Sequence, residues 1–102
     1  MTYKNEFPDY DYEIILPEGY EDISWHNNVC PSIGIYINPV AMVVIWCHYE
    51  DPSKRETGED GSQFLVSIDD DLDIQMQGEF DKFENAVLFA NALAEKLKRK
   101  LA

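Results

Sequence analysis

The chain predicts an α+β domain: an antiparallel sheet of four to five strands with one C-terminal helix packed on one face. Three observations carry this expectation. Two pairs of alternating apolar stretches are each joined by residues that favour turns, an amphipathic stripe with helical spacing follows them, and no strand-helix-strand alternation marks a parallel sheet. At 102 residues the chain is of single-domain size, so residues 1–102 are read as one domain. Residues 1–11 read as a flexible N-terminal arm, because Tyr3, Phe7 and Tyr10 are interleaved with acids and Pro8 interrupts any helix.

Tyr12, Ile14 and Leu16 alternate with their neighbours as in a short strand that stops at Pro17. Pro17 to Ser32 has no period and holds Gly19, Asn27, Asn28 and Pro31, which predicts a long loop that is packed, partly helical or functional. Ile33, Ile35 and Ile37 then alternate with Gly34 and Tyr36, and Asn38-Pro39 suits the first two positions of a type I turn. Val40 to Tyr49 is apolar at both parities, the pattern of a central strand covered on two sides. Met42, Val44 and Trp46 fall on the side away from the helix, and the Pro17 to Ser32 loop is expected to cover them through Trp25.

Glu50 to Ser62 is charged, holds a Pro and two Gly, and reads as a solvated, mobile loop. Phe64, Val66 and Ile68, then Leu72, Ile74 and Met76, read as a hairpin turning at Asp69 to Asp71, one face apolar and the other wet. Residues 82 to about 100 predict the helix. Asp81 and Glu84 stand at capping-box spacing, Val87, Ala90, Leu93, Ala94 and Leu97 form its apolar stripe, and Lys96, Lys98, Arg99 and Lys100 complement its C-terminal dipole.

The composition excludes several function classes. Hydrophobic residues at 45% are well above the level of disordered chains, so a core can form. The longest apolar run, Val40 to Cys47, is far short of the roughly 20 residues that span a bilayer as a helix. With no basic, apolar leader at the N-terminus, the expected location is cytoplasmic and no membrane association is expected. Two cysteines, Cys30 and Cys47, are too few for a disulfide framework and are expected to be reduced thiols.

The net charge is −12, and it is unevenly spread: eighteen acids and three bases precede Lys82, whereas two acids and five bases follow from it. Such a surface repels nucleic acid and anionic lipid, so direct nucleic-acid binding is not expected and a charged partner would be basic.

No catalytic set, cofactor or metal site is expected. His26, Cys30, Cys47 and His48 are zinc-ligand types, but Cys47 and His48 are neighbours on a strand and point to opposite faces. Asp69, Asp71 and Asp73 match the start of a calcium loop that fails where Ile74 and Phe80 replace the required Gly and Glu. His26 and Cys30 share one loop and would be the base and nucleophile of a small enzyme, the alternative functional reading. A homodimeric accessory protein is the other; the chain is expected to be a monomer or a homodimer.

The leading expectation is a non-catalytic acidic interaction protein, an inhibitor of a basic nuclease or nucleic-acid-binding protein. Its contact residues are expected among Tyr20, Glu21, Asp22, Trp25, His26, Asp69, Asp70 and Asp71, where carboxylates stand next to aromatic anchors.

Overall fold

The alternating isoleucines and the two-sided run pair as expected. In the computed structural model, which describes residues 2–56, 58, 61–70 and 72–100 and the backbone of Leu101, β2 (Ser32–Asn38) and β3 (Ala41–Cys47) form a hairpin. The Asn38 carboxamide accepts from the Val40 N–H at 2.9 Å and closes the turn. β4 (Phe64–Asp69) and β5 (Ile74–Phe80) make the second hairpin, and the two-residue β1 (Glu21–Asp22) pairs with β2. All pairings are antiparallel in the order β1-β2-β3-β4-β5, a simple meander.

Helix α2 (Phe83–Leu101) packs on one face of this five-stranded sheet. The fold is therefore α+β with one C-terminal helix, as the element order predicts. The stripe that meets the sheet is Ala86, Ala90 and Ala94, all at most 3% exposed, flanked by the half-buried Val87, Phe89, Leu93 and Leu97. Small side chains let the helix approach Ile33, Val43, Ile45 and Val66 closely. Ala90→Leu should therefore cost about 1–3 kcal/mol through overpacking. Urea titration checks this; an unchanged midpoint would show that the helix stands further from the sheet. The first turn closes with the Ala86 N–H donating to the Lys82 carbonyl at 3.2 Å, which places Lys82 rather than Asp81 at the N-cap.

The first eleven residues are docked rather than loose. A one-turn helix, α1 (Tyr3–Glu6), is held by its Tyr3 N–H, which donates to the Asp22 carboxylate at 2.7 Å. Phe7 is buried, the Tyr10 hydroxyl donates to the His48 carbonyl, and Asp9 accepts from the Tyr49 hydroxyl at 2.9 Å. Asp11 accepts from the Glu50 and Asp51 N–H groups at 2.7 and 2.9 Å. The acids that read as a solvated arm thus serve as acceptors for a loop 40 residues away. Tyr12 to Leu16 forms no strand; Tyr12 packs edge-on to Phe64 and Ile14 is buried in the core beside α2.

Within Glu50 to Ser62 a turn of 3-10 helix (Pro52–Lys54) and one cation impose order on the described residues. The Arg55 guanidinium donates to the carbonyls of Tyr49, Glu50 and Gly61 at 2.7–2.9 Å.

Two irregularities decide which side chains lie on the face opposite α2. At Gly34 an added Cβ would stand 2.6 Å from the Met42 Cε, so glycine there lets Met42 lie flat across β2 beside Ile23. In β5 the register slips at Gln77, because Gly78 pairs with Val66 but Met76 pairs with Ser67. One extra residue reverses the parity of a strand. Ile74 and Met76, which alternation alone groups with the core-facing Val66 and Ile68, therefore stand opposite Asp69 and Ser67 on the other face, 53% and 57% exposed.

Candidate functional site: the uncovered sheet face

The helix and the N-terminal segment share one face of the sheet and leave the other partly bare: Val44 and Ser67 are buried, Met42, Leu65 and Trp46 are half-buried, and Ile74 and Met76 are more than half exposed. Tyr3, Tyr10, Tyr12 and Ile14 all join the cluster beneath α2, and the Tyr20 hydroxyl donates to the Asn91 carboxamide of α2 at 2.8 Å. The Pro17 to Ser32 loop covers only part of the far side, and not through Trp25 as expected. Trp25 lies tilted against its neighbour His26 with ring centroids 4.3 Å apart and stays two-fifths exposed. From this loop, Ile23 reaches Gly34 and Val29 reaches Trp46 on the bare face.

On that face Trp46 is fixed by a polar relay. Its indole Nε1–H donates to the Ser67 hydroxyl at 2.9 Å, and that hydroxyl donates to the Asp69 carboxylate. The relay lays the indole toward the row of Met76, and a groove of about 270 Å³ opens among Val29, Trp46, His48, Glu56, Leu65, Ile74 and Met76. Apart from Glu56 and His48 its walls are apolar. Acids border it: Glu79 stands beside Leu65 on β5, and Asp70 and Asp73 form the hairpin tip beyond Asp69. Among the described residues no lysine or arginine lines the groove. A larger hollow of about 580 Å³ lies within the N-terminal segment, lined by Tyr3, Lys4 and Asp11 among others, but among the described residues no buried polar group lacking a partner opens onto it.

His48 closes the groove at its inner end. It is only 3% exposed and its Nδ1 is buried without a hydrogen-bond partner. Burial holds its pKa below the ordinary 6.5, Arg55 pushes the same way and Glu56 opposes both. The folded state therefore prefers the neutral ring, and its contribution to stability is present above pH 6.5 and lost as the pH falls through the depressed folded value. Melting temperature from pH 7 to pH 5 should accordingly fall more steeply for the native protein than for His48→Leu. Parallel curves would show that His48 is not desolvated.

The residues expected to contact a partner do not form one patch. Tyr20 is buried, so its ring packs the core and is unavailable to a partner. Asp22 is engaged by the N–H groups of Tyr3 and Ser24, next to the exposed Glu21 in β1. Trp25 and His26 sit in the loop ahead of β2, where the His26 Nδ1 lies 3.0 Å from the Glu6 carboxylate and holds that carboxyl below its usual range. Asp69 and Asp70 lie at the opposite end of the sheet, with Asp69 tied to Ser67 and Asp70 capping the hairpin turn through the Leu72 and Asp73 N–H groups. Burial raises the Asp69 pKa, while Ser67 opposes the rise. Asp71 lies outside the described residues. The groove residues Val29, His48, Leu65, Ile74 and Met76 are absent from the expected set.

The loop also lacks the nucleophile and base of the enzyme reading. Cys30 is fully buried, burial pushes its thiol up to about 12, and the His26 ring is committed to Glu6 at the surface. A protonated thiol closed off from solvent cannot attack a substrate. Cys47 is likewise buried and its thiol raised.

No described helix is long and apolar enough to cross a membrane. Compared with known proteins, the chain gives no significant match to a family model, a curated protein or a solved structure.

Proposed function

We propose that this chain is a non-catalytic acidic interaction protein that binds a basic partner, of the nuclease or nucleic-acid-binding kind, and inhibits it by occlusion. One observation carries the reading: an apolar sheet face that the chain's own helix and N-terminal segment leave partly bare, bordered by Glu56, Glu79, Asp70 and Asp73, its groove lined by no lysine or arginine among the described residues. Apolar centres with charged rims suit protein recognition, and a rim of one sign selects a partner of the other. The contact centre moves accordingly, from the Trp25 loop to Trp46, Ile74 and Met76.

The same bare face favours a second reading, a homodimer that covers it with another copy. Each copy carries −12, so self-association would be weakest at low salt. Binding to a basic partner has the opposite salt dependence. The immobilised protein, exposed to lysate at low and at high salt, should retain basic proteins that elute as salt rises. The same matrix carrying Ile74→Lys and Met76→Lys together should not retain them. Salt-independent retention of neutral or acidic proteins would refute the reading.

A further inference from the structure

We propose that the outer edge of β5 accepts an extended, lysine- or arginine-rich segment of another protein as a sixth strand, with one apolar side chain of that segment filling the groove beside Met76. The proposal rests on the basic-partner reading and adds the mode of recognition. The two margins of the sheet differ. At one, β1 is two residues long and the N-terminal segment is tied to it through Asp22. At the other, β5 runs for seven residues, pairs on one side with β4, and among the described residues has no strand on its outer side.

Unpaired edges are templates for strand addition unless Lys, Pro, distortion or a covering element blunts them. Ile74 to Phe80 contains neither Lys nor Pro, and its one distortion, the bulge at Gln77, leaves three residues on each side able to pair.

The groove lies directly inward of this edge, because Ile74 and Met76 are both edge-strand residues and groove wall. A strand laid along β5 sends alternate side chains to each face, so those on the bare face fall next to Ile74 and Met76, from which the groove runs inward to Leu65. A hollow of about 270 Å³ is many times the roughly 30 Å³ share of one water and holds a leucine, methionine or aromatic side chain. At its inner end the imidazole of His48, 3% exposed with an unpaired Nδ1, marks a desolvated site whose polar group the chain itself leaves unsatisfied. Charge selects the occupant. Asp73 and Glu79 bracket the strand and Glu56 stands across the groove, so a basic segment is attracted where a second copy, itself at −12, is repelled.

The test uses the whole ¹⁵N-labelled protein and a capped seven-residue peptide of alternating lysine and leucine. Two further versions are methylated on the backbone nitrogens of all lysines or of all leucines, a third has alanine for leucine, and a fourth has glutamate for lysine. Binding of the parent peptide should slow amide hydrogen exchange in Ile74 to Phe80 and shift the Met76 methyl. One methylated version, the alanine version, the glutamate version and Met76→Lys should each weaken binding about tenfold or more. The melting temperature of Met76→Lys should be unchanged, since that side chain is already exposed. Equal binding of both methylated versions, perturbation confined to other segments, or a dimer already protecting β5 without peptide would overturn the proposal. Salt-sensitive retention of basic proteins without protection of β5 would sink the edge site alone, whereas no basic ligand binding at all would sink the reading beneath it.

Discussion

Phe64→Ala should destabilise the domain by about 3–5 kcal/mol. Phe64 is 1% exposed and sits where the three parts of the molecule converge. It pairs with Cys47 of β3 and Phe80 of β5, and it meets the rings of Tyr12 and Phe83 edge-on, each at 5.5 Å between centroids. Removing the ring leaves a void that neither Tyr12 nor Phe83 can fill without leaving its own contact. For a domain whose whole stability is about 5–15 kcal/mol, that is a large share. Denaturant titration measures it, and a loss below about 1 kcal/mol would mean that the N-terminal segment, the sheet and α2 do not share one core.

Ile74→Lys with Met76→Lys should leave stability within about 0.5 kcal/mol of the native value while weakening binding to a basic partner of the proposed kind about thirtyfold or more. Both side chains are more than half exposed, so the fold loses little apolar burial. Both line the groove, and two cations there would also repel the partner. Comparing dissociation constants by calorimetry with urea midpoints separates the effects. Equal loss of stability and binding would mark the residues as structural, and unchanged binding would move the contact elsewhere.

The strand and helix periods were legible because they depend on near neighbours. β2, β3 and α2 follow from alternation and from spacings of three and four, and the two-sided pattern of Val40 to Tyr49 correctly placed Met42, Val44 and Trp46 on the face away from the helix. The bare face went unread for two reasons. Ile74 and Met76 alternate in step with an ordinary half-buried strand, and only the slip at Gln77 turns them outward. Gly78 was the available signal, since a glycine inside a strand pattern suggests a bulge. The docking of the first eleven residues was not legible at all. It depends on Asp9 and Asp11 accepting from Tyr49, Glu50 and Asp51, bonds between segments some 40 positions apart that leave no periodic trace. Without that docking the arm remains a candidate to cover the far face, and the site at Trp46, Ile74 and Met76 disappears from view.

Lys96 to Lys100 stand at the end of α2, on the opposite layer from the acids around the groove, so these cations lie away from the proposed contact. A basic partner should be steered to the acidic side from a distance, and salt shortens that reach from about 10 Å at 0.1 M to about 3 Å at 1 M. The most direct measurement is the association rate constant with the captured basic partner, taken by stopped flow across that salt range. The account predicts a steep fall in association rate with little change in dissociation rate. An association rate indifferent to salt would contradict it, because an acidic rim that does not attract its partner has no part in recognising it.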